Sequence, residues 1–129
     1  MAARIFLGLS ALVWLPYGIY CFLVPTSLGA AAGVAFSTPT GSTELRAMYG
    51  GLEAALGALC AIALLRPALV RPAVVALGFL AAGLASARAA GVALDGELSS
   101  YTAMALALEV PTAAIAFFLL AREGSPRMR

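Results

Sequence analysis

The hydrophobic residues of this chain fall into four long runs, and just over half of its proline and charged residues lie between or beyond these runs. A membrane-spanning helix needs about 20 mostly apolar residues, and each run reaches that length. The runs cover residues about 5–24, 44–65, 69–94 and 100–121. We therefore predict an all-α integral membrane protein with a single domain over residues 1–129. The predicted architecture is a four-helix transmembrane bundle with up-down-up-down topology.

The composition indicates that lipid is the solvent of this chain. Hydrophobic residues make up 63% of its 129 residues and charged residues only 11%, and the mean hydropathy is +1.00. Soluble domains carry about 25% charged residues, and a soluble domain of this size leaves much of its surface in water. The composition therefore excludes an ordinary water-soluble enzyme. The small net charge of +2 gives no indication of nucleic-acid binding.

Arginines mark one side of the predicted membrane protein. They precede the first run, flank the connection between the second and third runs, and follow the fourth. These residues are Arg4, Arg66, Arg71, Arg122, Arg127 and Arg129. The opposite side carries Glu44, Arg46, Asp95 and Glu97. Because positively charged loops stay in the cytoplasm, we expect both termini and the middle loop to be cytoplasmic.

Two segments near the start of the chain allow more than one interpretation. The first run follows Arg4 and precedes small residues at positions 29–33, a pattern that resembles a cleaved signal peptide. Its apolar stretch exceeds the roughly 7 to 15 residues of a signal core, so we expect a retained helix. In the long connection that follows, residues 28–36 are apolar enough to lie at the membrane interface or re-enter the membrane. The alternative is a mobile loop without function.

Polar and small residues predict the helix starts and the packing faces. Ser42 or Thr43 can cap the second helix, with Glu44 in its first turn, and Ser99 or Ser100 can cap the fourth. Small residues let helices approach closely in lipid. They recur at four-residue spacing at Gly50, Ala54 and Ala58, and again at Gly78, Ala82, Ser86 and Ala90. We expect these rows to pack within the bundle; a homodimer face is the alternative.

Residue types that bind metals and prosthetic groups are scarce in this chain. It contains no histidine, and its two cysteines, Cys21 and Cys60, do not form a Cys-x-x-Cys motif. The commonest zinc, haem and copper ligand sets are therefore missing, and we expect neither a metal nor a cofactor. Because the first two runs cross the membrane in opposite directions, the two cysteines lie near opposite membrane surfaces. We therefore expect two buried thiols rather than a disulfide.

Four ionisable side chains interrupt the apolar runs: Glu53, Arg88, Glu109 and, nearer a membrane surface, Arg46. Each costs roughly 2.5 to 3.5 kcal/mol in hydrocarbon, so such groups normally pair and face a protein interior or a water cavity. A rise of 1.5 Å per residue places the first three about 10 to 15 Å from the outer helix ends. We predict that the four meet in the outer half of the bundle. The expected pairs are Glu53 with Arg88 and Arg46 with Glu109.

Further polar side chains share the helix faces of these charges. Tyr49 follows Arg46 and precedes Glu53 at helical spacing, and the first run presents Ser10, Trp14, Tyr17 and Cys21 on one face. The predicted ligand site consists of Arg46, Tyr49, Glu53, Arg88 and Glu109, with Trp14 and Tyr17 as additional lining. The alternative is a structural ion-pair network that fixes helix register, with the two aromatic residues as ordinary bundle or interface side chains.

A motif in the second run resembles that of a known family. It reads Glu44-Leu45-Arg46-Ala47-Met48-Tyr49-Gly50-Gly51-Leu52-Glu53, followed by Leu56-Gly57. It is similar to the signature of a bacterial four-helix membrane family, domain-of-unknown-function family 4345, which is more loosely similar to the DoxX-like proteins. The stretch from Trp14 to Gly18, with Arg88, Asp95-Gly96 and Glu109, also fits. The resemblance covers nearly the whole chain and implies a four-span protein of the bacterial inner membrane, without an established activity.

Two functions of different classes fit these observations. The first is a binding or accessory membrane protein that holds a lipid-like or quinone-like molecule or docks onto a larger membrane protein complex. The alternative is a cofactor-free intramembrane acid–base enzyme, such as an isomerase, with Glu53 and Glu109 as acid and base and Tyr49 stabilising charge. A proton or ion pathway is disfavoured because the inner half has few polar residues. The expected partners are membrane lipids and no nucleic acid.

Overall fold

The computed structural model describes residues 1–124, and every regular element in this range is helical. The α-helices are α1 (Ala2–Leu23), α2 (Ser27–Ala32), α3 (Pro39–Leu45), α4 (Leu52–Leu65), α5 (Val70–Asp95) and α6 (Ser100–Gly124). A π-helical segment, Arg46–Gly51, joins α3 to α4, and a 3-10 turn, Pro67–Leu69, precedes α5. The predicted all-α class is confirmed. Arg127 and Arg129 of the expected basic tail lie outside the described residues.

Within the described part of the chain, four helical segments are long and apolar enough to cross a membrane. They are Ala2–Leu23, Pro39–Leu65, Pro67–Asp95 and Ser100–Arg122. Each corresponds to one of the predicted runs, so the predicted spans are confirmed. The agreement has a physical origin, because an apolar run in lipid can satisfy its backbone polar groups internally by forming a helix.

The second span begins earlier than predicted. Thr38 is its N-cap, since Oγ1 accepts a hydrogen bond from the backbone N–H of Gly41 (3.2 Å). Pro39 takes the first helical position, where a missing N–H is not needed. The predicted caps Ser42 and Thr43 are therefore wrong, because both residues lie inside α3. The hydroxyl of Thr43 instead donates to the carbonyl of Pro39, one turn earlier (3.1 Å).

The turn between α5 and α6 follows the predicted pattern. Gly96 has a φ of +72°, a left-handed conformation that glycine adopts without steric cost. Ser99 caps α6: its Oγ accepts a hydrogen bond from the backbone N–H of Thr102 (3.1 Å) and donates to the hydroxyl of Thr102 (3.0 Å). Only residues 96–99 separate α5 from α6. Such short connections join antiparallel neighbouring helices.

Part of the long connection after α1 is helical. Helix α2 contains Leu28, which is buried, and ends at Gly33 with a φ of +69°. The backbone N–H of Gly33 donates to the carbonyl of Gly29 (3.1 Å) and closes the last turn. Because Leu28 is buried, this part of the connection is anchored to the protein. Its expected position at or within the membrane interface stays a prediction.

The helices form two compact units, the first containing Ala3–Ala73 and the second beginning at Val74. In the first unit, glycines hold α1 and α4 at close distance. A Cβ at Gly18 would collide with the backbone of Ala54, and a Cβ at Gly57 would collide with the backbone of Leu15. From Gly18 to Leu15 the chain moves three residues toward the start of α1, and the facing positions move from Ala54 to Gly57, three residues toward the end of α4. The two helices are therefore antiparallel, and Ala54 packs as its row predicted.

In the second unit, α5 and α6 approach each other at Gly78. A Cβ at this position would lie 2.9 Å from Cβ of Ala116 in α6. Next to it, the rings of Phe79 and Phe117 meet edge to face, with their centroids 5.4 Å apart, a favoured arrangement of aromatic pairs. The contact confirms that Gly78 belongs to a packed face.

Later in the small-residue row predicted for the third run, packing within the bundle is not observed at Ser86 and Ala90, whereas Ala82 is half-buried. Ser86 and Ala90 are exposed, and nothing lies within 4 Å of a Cβ at Gly83. The buried row is instead Leu77, Ala81 and Ala85, one residue earlier in the sequence. The reason is compositional: small residues occupy most positions of α5, so their spacing alone does not identify the packed face.

Candidate functional site

One face of α1 brings together the polar and aromatic side chains that helical spacing predicted. Trp14 and Cys21 are buried, and Tyr17 is half-buried. The side chains of Cys21 and Tyr17 are hydrogen-bonded to each other. Glu53 of α4 is close enough to the thiol of Cys21 for an electrostatic interaction. Ser10 is also buried, and its hydroxyl donates to the carbonyl of Phe6 (2.9 Å) within the same helix.

The π-helical segment lies between α3 and α4 on the opposing span. The backbone N–H of Leu52 bonds to the carbonyl of Ala47, five residues earlier, whereas an α-helix would use the fourth residue. Gly50 and Gly51 favour this departure because glycine is a weak α-helix former. Gly50 also lies against α1, where its Cβ would be 2.7 Å from Cβ of Phe22. Such segments are rare and often occur at functional sites.

Arg46 begins the π segment and binds two neutral acceptors. Its Nε donates to the carbonyl of Phe22 (3.1 Å), and its Nη1 donates to Oγ of Ser42 (2.6 Å). Phe22 lies in the last turn of α1, where the helix dipole favours a cation. Arg46 therefore caps the C-terminal end of α1 by binding one of its last carbonyl groups. A guanidinium has five N–H donors, so these two bonds leave donors for a further acceptor.

Glu53 lies at the contact between α1 and α4. It is only 7% exposed, its Oε2 is closed off from the surface, and the adjacent Ala54 touches Gly18 of α1. Tyr49 is half-buried and precedes Glu53 by one turn. A carboxylate in such surroundings is costly unless hydrogen bonds, a cation or a proton compensate it.

The second unit contains a separate charged cluster. Nε of Arg88 donates to both carboxylate oxygens of Glu109, at 2.9 and 3.1 Å. The side chain of Glu109 is 4% exposed and that of Arg88 is 21% exposed. The ring centroid of Tyr101 lies 5.5 Å from the guanidinium carbon of Arg88, a cation–π geometry. This cluster joins the halves of α5 and α6 that lie next to the turn between them.

The structure divides the predicted site between the two units. Trp14, Tyr17, Arg46, Tyr49 and Glu53 lie in the first unit, and Arg88 and Glu109 lie in the second. Glu109 binds Arg88 rather than its predicted partner Arg46, and Arg46 binds Ser42 and the carbonyl of Phe22 instead. The predicted pairing of Glu53 with Arg88 joins residues of different units and stays a prediction. So does a single ligand site built from all seven side chains.

Some contributions to these clusters were not predicted from the sequence. Tyr101 precedes Glu109 by eight residues, about two helical turns, so the periodicity of α6 could have placed both on one face. Ser42 precedes Arg46 by four residues, a spacing that brings side chains together on a helix. For the π segment, the only sequence indication is the Gly50-Gly51 pair.

The cysteines and acidic residues show no other arrangement of chemical interest in the described range. Cys21 and Cys60 are free and buried, which confirms the prediction of two thiols without a disulfide. Within residues 1–124, no group of three His, Cys, Asp or Glu side chains is arranged to hold a metal ion.

Comparison with known proteins connects this architecture to a family. The family model described as Domain of unknown function (DUF4345) matches residues 2–120, a range that includes the π segment and both charged clusters. The chain belongs to this family. The search of curated proteins found no match, and the search of solved structures found none either. Membership in DUF4345 confirms the resemblance but assigns no activity. The looser likeness to DoxX-like proteins and the bacterial origin stay predictions.

Proposed function

We propose that this DUF4345 protein is a binding or accessory protein of the bacterial inner membrane, with both termini in the cytoplasm. The orientation rests on Arg4, Arg66 and Arg71, which are exposed and lie at helix ends. Positively charged segments of this kind are retained on the cytoplasmic side. Glu97 and Asp95, near the turn between α5 and α6, then face the periplasm.

The ligand is a lipid-like or quinone-like amphipathic molecule bound at the polar part of the first unit. The observation that carries this proposal is the burial of Glu53 at the α1–α4 contact, directly after the π segment. Glu53 accepts a hydrogen bond from a hydroxyl or amine of the head group, as a quinol or an aminophospholipid provides. Arg46 donates a hydrogen bond to an oxygen of the same head group. Trp14 supplies an apolar aromatic surface one turn along α1 from Tyr17. Glu53 and Arg46 are seven residues apart, about 10 Å at most along the helix, which matches a small polar head group.

Arg88 and Glu109 have a different role in this proposal. Nε of Arg88 shares its hydrogen bond between the two carboxylate oxygens of Glu109, and hydrogen bonds between charged groups are stronger than neutral ones. They keep α5 and α6 in register within the second unit. One polar cluster is thus proposed to bind the ligand and the other to stabilise the protein. This is consistent with an accessory role, in which the protein presents its ligand to a larger membrane complex.

The fluorescence of Trp14, the only tryptophan in the sequence, tests the proposal directly. Quinones quench indole fluorescence on contact, so decylubiquinone added to the purified protein in detergent should quench Trp14 saturably. Decylubiquinol, whose hydroxyl groups can donate to Glu53, should displace the quinone and relieve the quenching. We expect Glu53→Gln to weaken quinol binding about fivefold, because a hydrogen bond to a charged group contributes about 1 kcal/mol more than a neutral one. Phosphatidylethanolamine added as a competitor shows whether a lipid uses the same site.

Glu44→Gln is the matched control for Glu53→Gln. It removes the same charge from the same span, but Glu44 is exposed, so the affinity of this variant for decylubiquinol should equal that of the wild type. Quenching that increases linearly with quinone concentration, or an unchanged quinol affinity in the Glu53→Gln variant, would contradict the proposed site. Circular dichroism of each variant ensures that the comparison is made between folded proteins.

A further inference from the structure

An apolar groove runs along the surface of the first unit, away from the polar cluster around Glu53. It has a volume of about 510 Å³ and is lined by α1 residues between Ile5 and Pro16, together with Ala61 and Leu64 of α4. Its small members include Gly8, whose Cβ would lie 3.8 Å from Cδ1 of Leu64. The missing side chain at Gly8 therefore leaves an open channel between the longer side chains of the two helices.

The dimensions of the groove match one leaflet of a bilayer. From Ile5 to Pro16, α1 rises about 16 Å at 1.5 Å per residue. The hydrocarbon core of a bilayer is about 30 Å thick, so each leaflet provides about half of that. A groove that begins near a helix end and stops near the middle of the span has the length of one extended lipid chain within one leaflet.

Two arginines lie near the end of this groove that is formed by Ile5 and Leu64, at the ends of their helices. Arg4 precedes Gly8 by one turn and therefore lies on the same face of α1. Arg66 follows Leu64 by two residues, at the end of α4. Because α1 and α4 are antiparallel, both arginines belong to the same end of the unit, and both are exposed. A guanidinium binds phosphate through parallel hydrogen bonds.

We propose that this groove holds one acyl chain of an anionic phospholipid whose phosphate binds Arg4 and Arg66. The apolar lining accommodates the chain, and the two positive charges select an anionic head group over a zwitterionic one. The site shares no lining residue with Trp14, Tyr17, Arg46, Tyr49 or Glu53. It is therefore independent of the ligand proposed for the polar cluster and remains valid if that ligand proves wrong.

Native mass spectrometry of the full-length protein tests this lipid site. The protein is mixed with equal amounts of phosphatidylglycerol and phosphatidylcholine that carry identical acyl chains. A basic residue near an anionic head group contributes about a fivefold preference, so two arginines should together favour phosphatidylglycerol by about 25-fold. The double variant Arg4→Gln/Arg66→Gln should bind the two lipids almost equally. Arg122→Gln, which removes an exposed charge from the second unit, should keep the preference.

A second pair of variants tests the acyl-chain groove. Gly8→Leu fills the groove without a backbone collision, since its Cβ meets Leu64 only at an ordinary contact distance. It should reduce the binding of both lipids. Gly83→Leu is the control, because nothing lies within 4 Å of a Cβ at that position, and it should bind lipids as the wild type does. The proposal is overturned by equal binding of both lipids to the wild type, by an equal loss in Arg122→Gln, or by undiminished binding in Gly8→Leu.

Discussion

Gly18 of α1 lies directly against the backbone of Ala54 in α4, with no space for a side chain between the two helices. A Cβ at Gly18 would collide with the backbone nitrogen of Ala54 and lie 2.8 Å from its Cα. Because the next residue before Ala54 is Glu53, this contact also fixes the position of the buried carboxylate relative to Tyr17. The close approach of the helices is therefore a condition for the polar cluster.

The contact predicts a strong difference between two glycine substitutions in the same helix. Gly18→Ala should destabilise the protein by about 1 to 3 kcal/mol, because the added methyl group forces the helices apart. Gly8→Ala should be neutral or slightly stabilising, since its Cβ meets Cδ1 of Leu64 at 3.8 Å and alanine is the better helix former. Thermal unfolding in detergent measures both. Equal melting temperatures of the two variants would show that the helices do not approach as closely as described.

The Arg88–Glu109 pair predicts a rescue between two variants. Arg88→Leu removes the donor to both oxygens of Glu109, whose side chain is 4% exposed. Removal of one partner from a buried ion pair costs about 3 to 5 kcal/mol, whereas replacing both partners is much less damaging. The double variant Arg88→Leu/Glu109→Leu should therefore be more stable than Arg88→Leu alone.

Thermal or denaturant unfolding of the two single variants and the double variant gives the coupling energy of the pair. Arg122→Leu is the control, because Arg122 is exposed and its contact with Phe118 is a cation–π contact at 5.5 Å. It should change stability little. Additive effects of the two single substitutions would mean that the pair does not stabilise the second unit.

The proposed orientation predicts which engineered cysteines react on each side of the membrane. Cys21 and Cys60 are buried, so the native thiols should give little background with a membrane-impermeant maleimide. Ser100→Cys should react in intact spheroplasts, because Ser100 is exposed and begins α6 on the proposed periplasmic side. Ala68→Cys, in the exposed turn before α5, should react only after lysis. The reverse pattern would refute the orientation.

Helix length and helical spacing accounted for the spans and for one face of the site. An apolar run about 20 residues long has one favourable conformation in lipid, so the four spans follow from local sequence. The face of Trp14, Tyr17 and Cys21 also follows from the period of a regular helix. Both are properties of single segments and do not depend on how those segments pack.

Pairings and irregular turns were less predictable because they depend on neighbours. Arg88 and Arg46 were both plausible partners for Glu109, since sequence distance from a helix end gives depth but not direction around the helix. Because the turn before α6 is short, α5 is the helix next to α6, and Arg88 of α5 is therefore the partner of Glu109. The early start at Pro39 was missed although Thr38-Pro39 is a favourable cap and first position. The π segment depends on the contact of Gly50 with Phe22 as well as on its own sequence.

The π segment itself leads to a test by deletion. Removal of Gly51 would convert the segment into a regular α-helix and turn α3 by about 100° relative to α4. Arg46 would then lose its bond to the carbonyl of Phe22, and hydrogen bonds of charged groups contribute about 1.5 to 3 kcal/mol. Gly51→Ala is the control, since it keeps the chain length and places Cβ 3.7 Å from the carbonyl of Arg46.

If the deletion acts through Arg46, its effect on thermal stability should not add to that of Arg46→Gln, because both changes remove the same bond. We expect the deletion and Arg46→Gln to lower the melting temperature by similar amounts, singly and together, while Gly51→Ala melts close to the wild type. Fully additive losses would separate the π segment from Arg46. In that case the extra residue would serve only the fit of Gly50 against Phe22, and Arg46 would bind the end of α1 without it.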